Sequence, residues 1–115
     1  MSRLPEEYLR HILDETNYLI KSSKNLEEEK FSRNETLQKA FVRSLEILGE
    51  ATKNLPKEFT ANHKEIDWKS IAGMRDRLIH GYFGIDYEIV WDVVKTEIPK
   101  LNQQIKVILQ SLNIR

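Results

Sequence analysis

The chain has no cysteine, which excludes a disulfide scaffold, thiolate metal ligands and a cysteine nucleophile. That absence fits a reducing compartment. Glycine (4) and proline (3) are scarce among the 115 residues, so breaks in regular structure are few. An excess of one charge sign is also missing, because 18 basic and 18 acidic side chains cancel to a formal net charge of zero. This balance argues against a protein that coats nucleic acid through bulk charge, but it leaves room for an RNA cleft lined locally by a few arginines. No apolar run approaches the roughly 20 residues needed to cross a bilayer. The start of the chain, Met1 to Glu7, lacks the apolar stretch of a signal peptide. The expectation is one domain over residues 1–115, cytoplasmic, with no membrane association.

What is present points to helices. Hydrophobic residues make up 40% and charged residues 31%, and the strong helix formers Glu, Lys and Leu are plentiful. Pro5 suits a first helical turn, and Leu9, Ile12, Leu13, Thr16, Leu19 and Ile20 follow at helical spacing, giving a helix from about Pro5 to about Ser22. Leu26 to Ser32 reads as a helical turn of its own or the start of the next helix. Asn34 is an N-cap candidate for a stripe running from Leu37 to Leu55, and Pro56 ends it. Small residues beside that stripe, including Gly49, would let a neighbouring helix approach closely. Lys57 to Ile66 reads as a connection. Asp67 caps a helix through Trp68, Ile71, Ala72, Arg75, Leu78 and Ile79, with Gly81 as its stop. Asp86 caps a last helix, which Pro99 kinks or restarts and which carries its apolar pattern to Leu112. No segment alternates with period two for long enough to be a strand. The expected fold is all-α, an up-and-down bundle of four to five helices with short connections.

Several kinds of chemistry have no residues to carry them. The chain has no P-loop, no dinucleotide glycine fingerprint and no nucleophile elbow. His11, His63 and His80 lack metal-ligand spacing, so no metal and no cofactor are expected. What stands out is Arg75-Asp76-Arg77-Leu78-Ile79-His80-Gly81-Tyr82. On a continuous helix Asp76 and His80, four apart, share a face, where a carboxylate would hold the imidazole. Arg75 and His80 would diverge by roughly 140°. They converge only if the last turn loosens at Gly81 or a second subunit supplies the partner. Arg77 reads as solvent-facing or as a contact to RNA backbone. Arg43, Glu46 and Glu50 read as a salt-bridge set on one helix face, and Trp68 and Trp91 as packing residues. His11 and His63 have no visible partner.

The segment R-x-x-x-x-H-x-Y, met by Arg75, His80 and Tyr82, resembles the signature of HEPN domains, and of their HepT-like toxin branch in particular. Arg43 to Ala51 is similar to that branch's second-helix pattern, and Trp68 to Asp76 to the approach to its motif. The likeness runs from about Tyr8 to about Leu109. Asp76 departs from the pattern, since many active HEPN ribonucleases carry Asn there. The resemblance implies a HEPN-like bundle that forms a homodimer, brings two motifs together and cleaves RNA without a metal. Arg75 and His80 would be catalytic and Asp76 supporting. It also implies a type VII-like toxin–antitoxin pair, in which a nucleotidyltransferase antitoxin of the MntA type transfers AMP to the motif tyrosine, here Tyr82. Two rival readings stay open. One is a catalytically silent helical adaptor that serves as substrate of a nucleotidyltransferase. The other is a bundle that binds a small phosphate ligand through the same arginines.

Overall fold

A computed structural model describes residues 4–79 and 81–113. The helices are α1 (Pro5–Ser23), α2 (Glu28–Ser32), α3 (Glu35–Lys53), α4 (Lys57–Ala61), α5 (Trp68–Ala72), α6 (Met74–Leu78), α7 (Tyr87–Asp92) and α8 (Ile98–Asn113). A 3₁₀ turn covers Gly81–Phe83, and a π-helical segment, Val93–Glu97, joins α7 to α8. Among the described residues there is no strand, only an isolated antiparallel bridge between Ile79 and Ile85. The expected all-α architecture is the one observed.

Amphipathic stripes build the core. In α1, Pro5 opens the helix, and Leu9, Ile12, Thr16, Leu19 and Ser23 are buried at spacings of three and four, the pitch of a helix face. In α3 the Asn34 side chain accepts from the Leu37 N–H at 3.0 Å, filling the cap expected of it. The buried face of α3 carries Phe41, Leu45, Leu48 and Ala51. Both α3 and α8 pack on α1. Buried polar groups pin these layers, and among the described residues no buried side-chain nitrogen or oxygen lacks a hydrogen-bond partner. Asn102 Nδ2 donates to Thr16 Oγ1 (2.9 Å) and Asn17 Oδ1 (2.8 Å), and Ser44 Oγ donates to Glu15 Oε1 (2.7 Å). An unsatisfied group in such a place costs about 1–3 kcal/mol. The Phe31 ring lies between those of Phe41 (5.1 Å) and Trp91 (5.3 Å) and ties α2 into the core.

The α5–α6 layer sits unusually close to α3, for the reason the sequence suggested. A Cβ on Gly49 would stand 3.1 Å from the Ile71 carbonyl oxygen and 3.3 Å from Met74 Cβ. Only the missing side chain permits that approach.

Three local expectations change. The connection after Pro56 contains a helix of its own, α4, because Pro56 adopts the extended conformation (φ −61°, ψ 143°) that suits the residue before a helix. The helix expected from Asp67 to Gly81 is interrupted at Gly73 (φ −86°, ψ 15°) and ends at Leu78. The Asp86 N–H donates to the Leu78 carbonyl at 2.8 Å, occupying an acceptor that another helical turn would use. Ile79 then turns extended (φ −88°, ψ 125°) to bridge Ile85. Pro99 does not restart the last helix. It is the second residue of α8, and the helix runs on from α7 through the π-helical segment just before it. A proline lacks the N–H for an α-turn and crowds the carbonyl four residues back, and a wider turn accommodates both.

Candidate functional site

The motif falls where helix becomes loop. Leu78 and Asp86 close the base of a short excursion through their backbone hydrogen bond, reinforced by the Ile79–Ile85 bridge. Inside it Gly81 (φ +51°) and Gly84 (φ +82°) take left-handed conformations that disfavour other residues. Gly81 is therefore needed for the turn geometry rather than as the stop of a helix. Tyr82, between the two glycines, is 97% exposed. Beyond the excursion, the Asp86 carboxylate accepts from the N–H groups of Glu88 (3.0 Å) and Ile89 (3.2 Å), which starts α7 as expected.

His80, the histidine of the motif, lies outside the described residues. The helix carrying Asp76 ends at Leu78, so the four-residue helical spacing that would join Asp76 to position 80 does not operate.

Arg75 and Asp76 are both exposed on α6. With Lys53, Ala72, Gly73 and Ile79 they line an open hollow of about 600 Å³. Arg75 has no ion-pair partner among the described residues. Its guanidinium makes no hydrogen bond among the described residues, which leaves its five N–H donors to a ligand in a space large enough for a phosphodiester. Lys53, on the last turn of α3, was not among the candidates read from the sequence. Its only signal there was a position just ahead of a helix stop, and it enters the hollow because Gly49 draws α5 and α6 up to α3.

Arg77 corrects the sequence reading. It is half-buried, not solvent-facing. Its Nη1 and Nη2 donate to the two Glu97 carboxylate oxygens at 3.0 and 2.6 Å, and Nη1 also donates to Ser70 Oγ at 2.9 Å. This fork joins α5, α6 and the π-helical segment. The hydrogen bonds to Glu97 raise the Arg77 pKa above its ordinary value, against the opposing effect of burial. Both terminal nitrogens of the guanidinium are thus bonded to the protein.

Glu50 pairs with Lys53 (3.4 Å), whereas Arg43 makes no ion pair among the described residues, so the proposed set on α3 is not formed as a unit. His63 does have neighbours: the Phe59 ring at 4.6 Å and Glu65 at 3.7 Å. Trp68 is buried and donates from Nε1 to the His63 carbonyl at 2.9 Å, and Trp91 packs on Phe31, as packing residues should. No helix of the described residues is long and apolar enough to cross a membrane.

Fold and site together define a small all-α domain whose polar face is an arginine hollow next to a glycine-flanked tyrosine turn. The chain belongs to the HepT-like ribonuclease family: the family model described as Ribonuclease HepT-like matches residues 6–108. A protein of Caldanaerobacter subterraneus subsp. tengcongensis named "Putative RNase" is 54% identical over 108 residues, covering 94% of this chain and 96% of its own. A "Probable ribonuclease HepT" of Thermococcus cleftensis is 41% identical over 101 residues, covering 88% and 92%. A Methanocaldococcus jannaschii protein named "Gamma-glutamylcyclotransferase and putative RNase" is 44% identical over 106 residues; these are 92% of this chain but 48% of that protein. No solved structure matches the chain.

Proposed function

We propose that the protein is a metal-independent endoribonuclease toxin that works as a homodimer, with Arg75 and His80 as its catalytic residues. The observation that carries this reading is the contrast on α6. Arg77 is bound into the fold, while Arg75 stands in an open hollow without an ion-pair partner among the described residues, in the family's motif, five residues before His80 in sequence.

The chemistry needs no nucleophile from the protein. The RNA 2′-oxygen attacks the adjacent phosphorus, the bond from phosphorus to the 5′-oxygen breaks, and the products are a 2′,3′-cyclic phosphate and a 5′-hydroxyl. A base must take the 2′-hydroxyl proton, and an acid must give one to the departing 5′-oxygen. Histidine titrates near neutral pH and suits both tasks. One chain carries one motif histidine, so two copies of His80 in a dimer divide the work. Arg75 forks hydrogen bonds to the phosphate oxygens as charge builds on them, a contribution of order 10²–10³ in rate. Asp76, beside Arg75, supports the site by orienting groups within it.

In this reading a nucleotidyltransferase antitoxin of the MntA type silences the toxin through Tyr82. The phenolic oxygen attacks the α-phosphorus of ATP, pyrophosphate leaves, and AMP remains on the tyrosine. The exposure of Tyr82 on its turn supports this. The added phosphate pairs with nearby cations and repels RNA.

The test is RNA cleavage in excess EDTA by unmodified protein, wild type against His80→Ala. Cleavage that persists in EDTA and is lost in the variant is the expected result. A verified, unmodified dimer that cleaves nothing would leave the adaptor reading, in which Tyr82 is a nucleotidyltransferase substrate and the motif is silent. For the modification, intact mass after co-expression with the antitoxin should show an AMP adduct that Tyr82→Phe removes.

A further inference from the structure

The formal charge of the chain is zero, so any affinity for RNA has to come from a local arrangement. One exists beside the Arg75 hollow. A second open hollow, of about 470 Å³, is lined by Lys57, Lys64 and Lys69 and by two acids, Glu65 and Asp67, together with Thr60 and Trp68. Lys69, of the second hollow, lies on α5 three residues before Ala72, which lines the Arg75 hollow, so the two residues share a helix face and the two spaces meet along α5. Lys53 enters the first hollow from α3.

We propose that Lys57, Lys64 and Lys69, continued by Lys53, form a track that holds the phosphates of single-stranded RNA beside the Arg75 hollow. The inference rests on the ribonuclease reading and adds to it where the substrate lies.

Three observations carry it. Lys57, Lys64 and Lys69 have no ion-pair partner among the described residues, so binding phosphate breaks no internal pair. The two acids of the hollow are outnumbered by its three lysines, and each has a contact of its own: the Asp67 carboxylate caps α5 by accepting from the Ser70 N–H (3.1 Å), and Glu65 lies 3.7 Å from His63. The backbone that presents the lysines is fixed. Gln104 Nε2 donates to the Glu65 carbonyl (3.0 Å), Trp68 Nε1 donates to the His63 carbonyl (2.9 Å), and Ile66 is buried. Lysines on a held backbone lose less freedom on binding than lysines on a loose loop. Lys53 does have a partner, Glu50 at 3.4 Å, but the pair is half-exposed and weak, and a phosphate can take the place of Glu50.

A nucleic acid fits this surface better than a protein does. Lysine is depleted at protein interfaces, whose centres are apolar, and none of the exposed large hydrophobic residues lies between Lys57 and Lys69. Single-stranded RNA fits better than duplex, because attack by the 2′-oxygen requires a backbone free to bring that oxygen in line with the leaving group.

The test is binding of a 2′-O-methylated single-stranded oligoribonucleotide across a salt series. This probe cannot be cleaved, so the track is judged separately from the ribonuclease reading. In Lys57→Gln/Lys64→Gln/Lys69→Gln the Kd should rise by about tenfold or more. The slope of log affinity against log salt should fall by roughly two, at about 0.7 per phosphate contact. The Lys→Arg triple variant should bind like wild type, and Lys64→Gln alone should lower the slope by roughly 0.7. A control variant at exposed lysines of α1 and α2, Lys21→Gln/Lys30→Gln, should change neither quantity. Unchanged affinity and slope in a folded triple variant would overturn the proposal. So would an equal loss in the control, or no binding by wild type.

Discussion

Arg75 and Arg77 sit two residues apart on α6, about 200° around the helix from each other, and the protein treats them differently. Arg77 points inward and spends three of its donors on Glu97 and Ser70, tying two helices to the π-helical segment. Arg75 points out into a hollow with no ion-pair partner among the described residues. The lesson is that a guanidinium in a candidate site is judged by what already holds it. A committed arginine is part of the scaffold, and an uncommitted one beside open space is available to a ligand.

Substitutions can break that division. The largest effect expected is on catalysis: Arg75→Ala should lower the rate of RNA cleavage by about 10²–10³-fold. Its melting temperature should stay close to that of wild type, because Arg75 is exposed and has no ion pair to lose among the described residues. Arg77→Ala should do the reverse. It removes a half-buried fork and leaves Glu97 without its partner, costing about 1–2 kcal/mol, or roughly 5 °C in melting temperature. If Arg77→Ala destroyed activity with full stability retained, the two arginines would have to exchange roles.

Gly49→Val sharpens the same contrast from the scaffold side. The added side chain collides with the Ile71 carbonyl and Met74, so it should cost about 1–3 kcal/mol by overpacking and widen the gap that holds Lys53 near Arg75. Thermal unfolding reads the first effect and cleavage the second. The smallest effect belongs to Asn34→Ala, far from the motif in the fold's layout. Losing the cap on α3 should cost about 1 kcal/mol in chemical denaturation and leave cleavage unchanged at a temperature where the variant is folded.

The sequence carried the long elements well because their information is local. Period-3.6 stripes, Pro5, and the caps at Asn34, Asp67 and Asp86 each act within one turn of the residue that shows them. Gly49 was legible too, as a small residue on an apolar stripe. What the sequence could not show was decided by partners far along the chain. The end of α6 at Leu78 depends on the Asp86 N–H, and the inward turn of Arg77 depends on Glu97, twenty residues away. Lys53 joins the Arg75 hollow only through the packing of α3 against α5. Arg75, Asp76 and Tyr82 were visible as a motif, but the sequence could not say that the helix stops before position 80.

The π-helical segment has a consequence for the phase of the last helix. Its buried residues run Val90, Val93 and Val94, then Ile98, Leu101, Asn102, Ile105, Ile108 and Leu109. Across the segment the buried stripe keeps an ordinary step of four, from Val94 to Ile98, although a π-helical turn holds about one residue more than an α-helical one. That surplus works as a phase correction. It lets one continuous helix keep two apolar stripes aimed at the same core while also bringing Glu97 round to Arg77. Removing one residue from the segment would turn everything downstream by about 100°, taking Asn102 away from Thr16 and Ile105 away from the core. The length of this turn is thus as much a determinant of the fold as the residues that fill it.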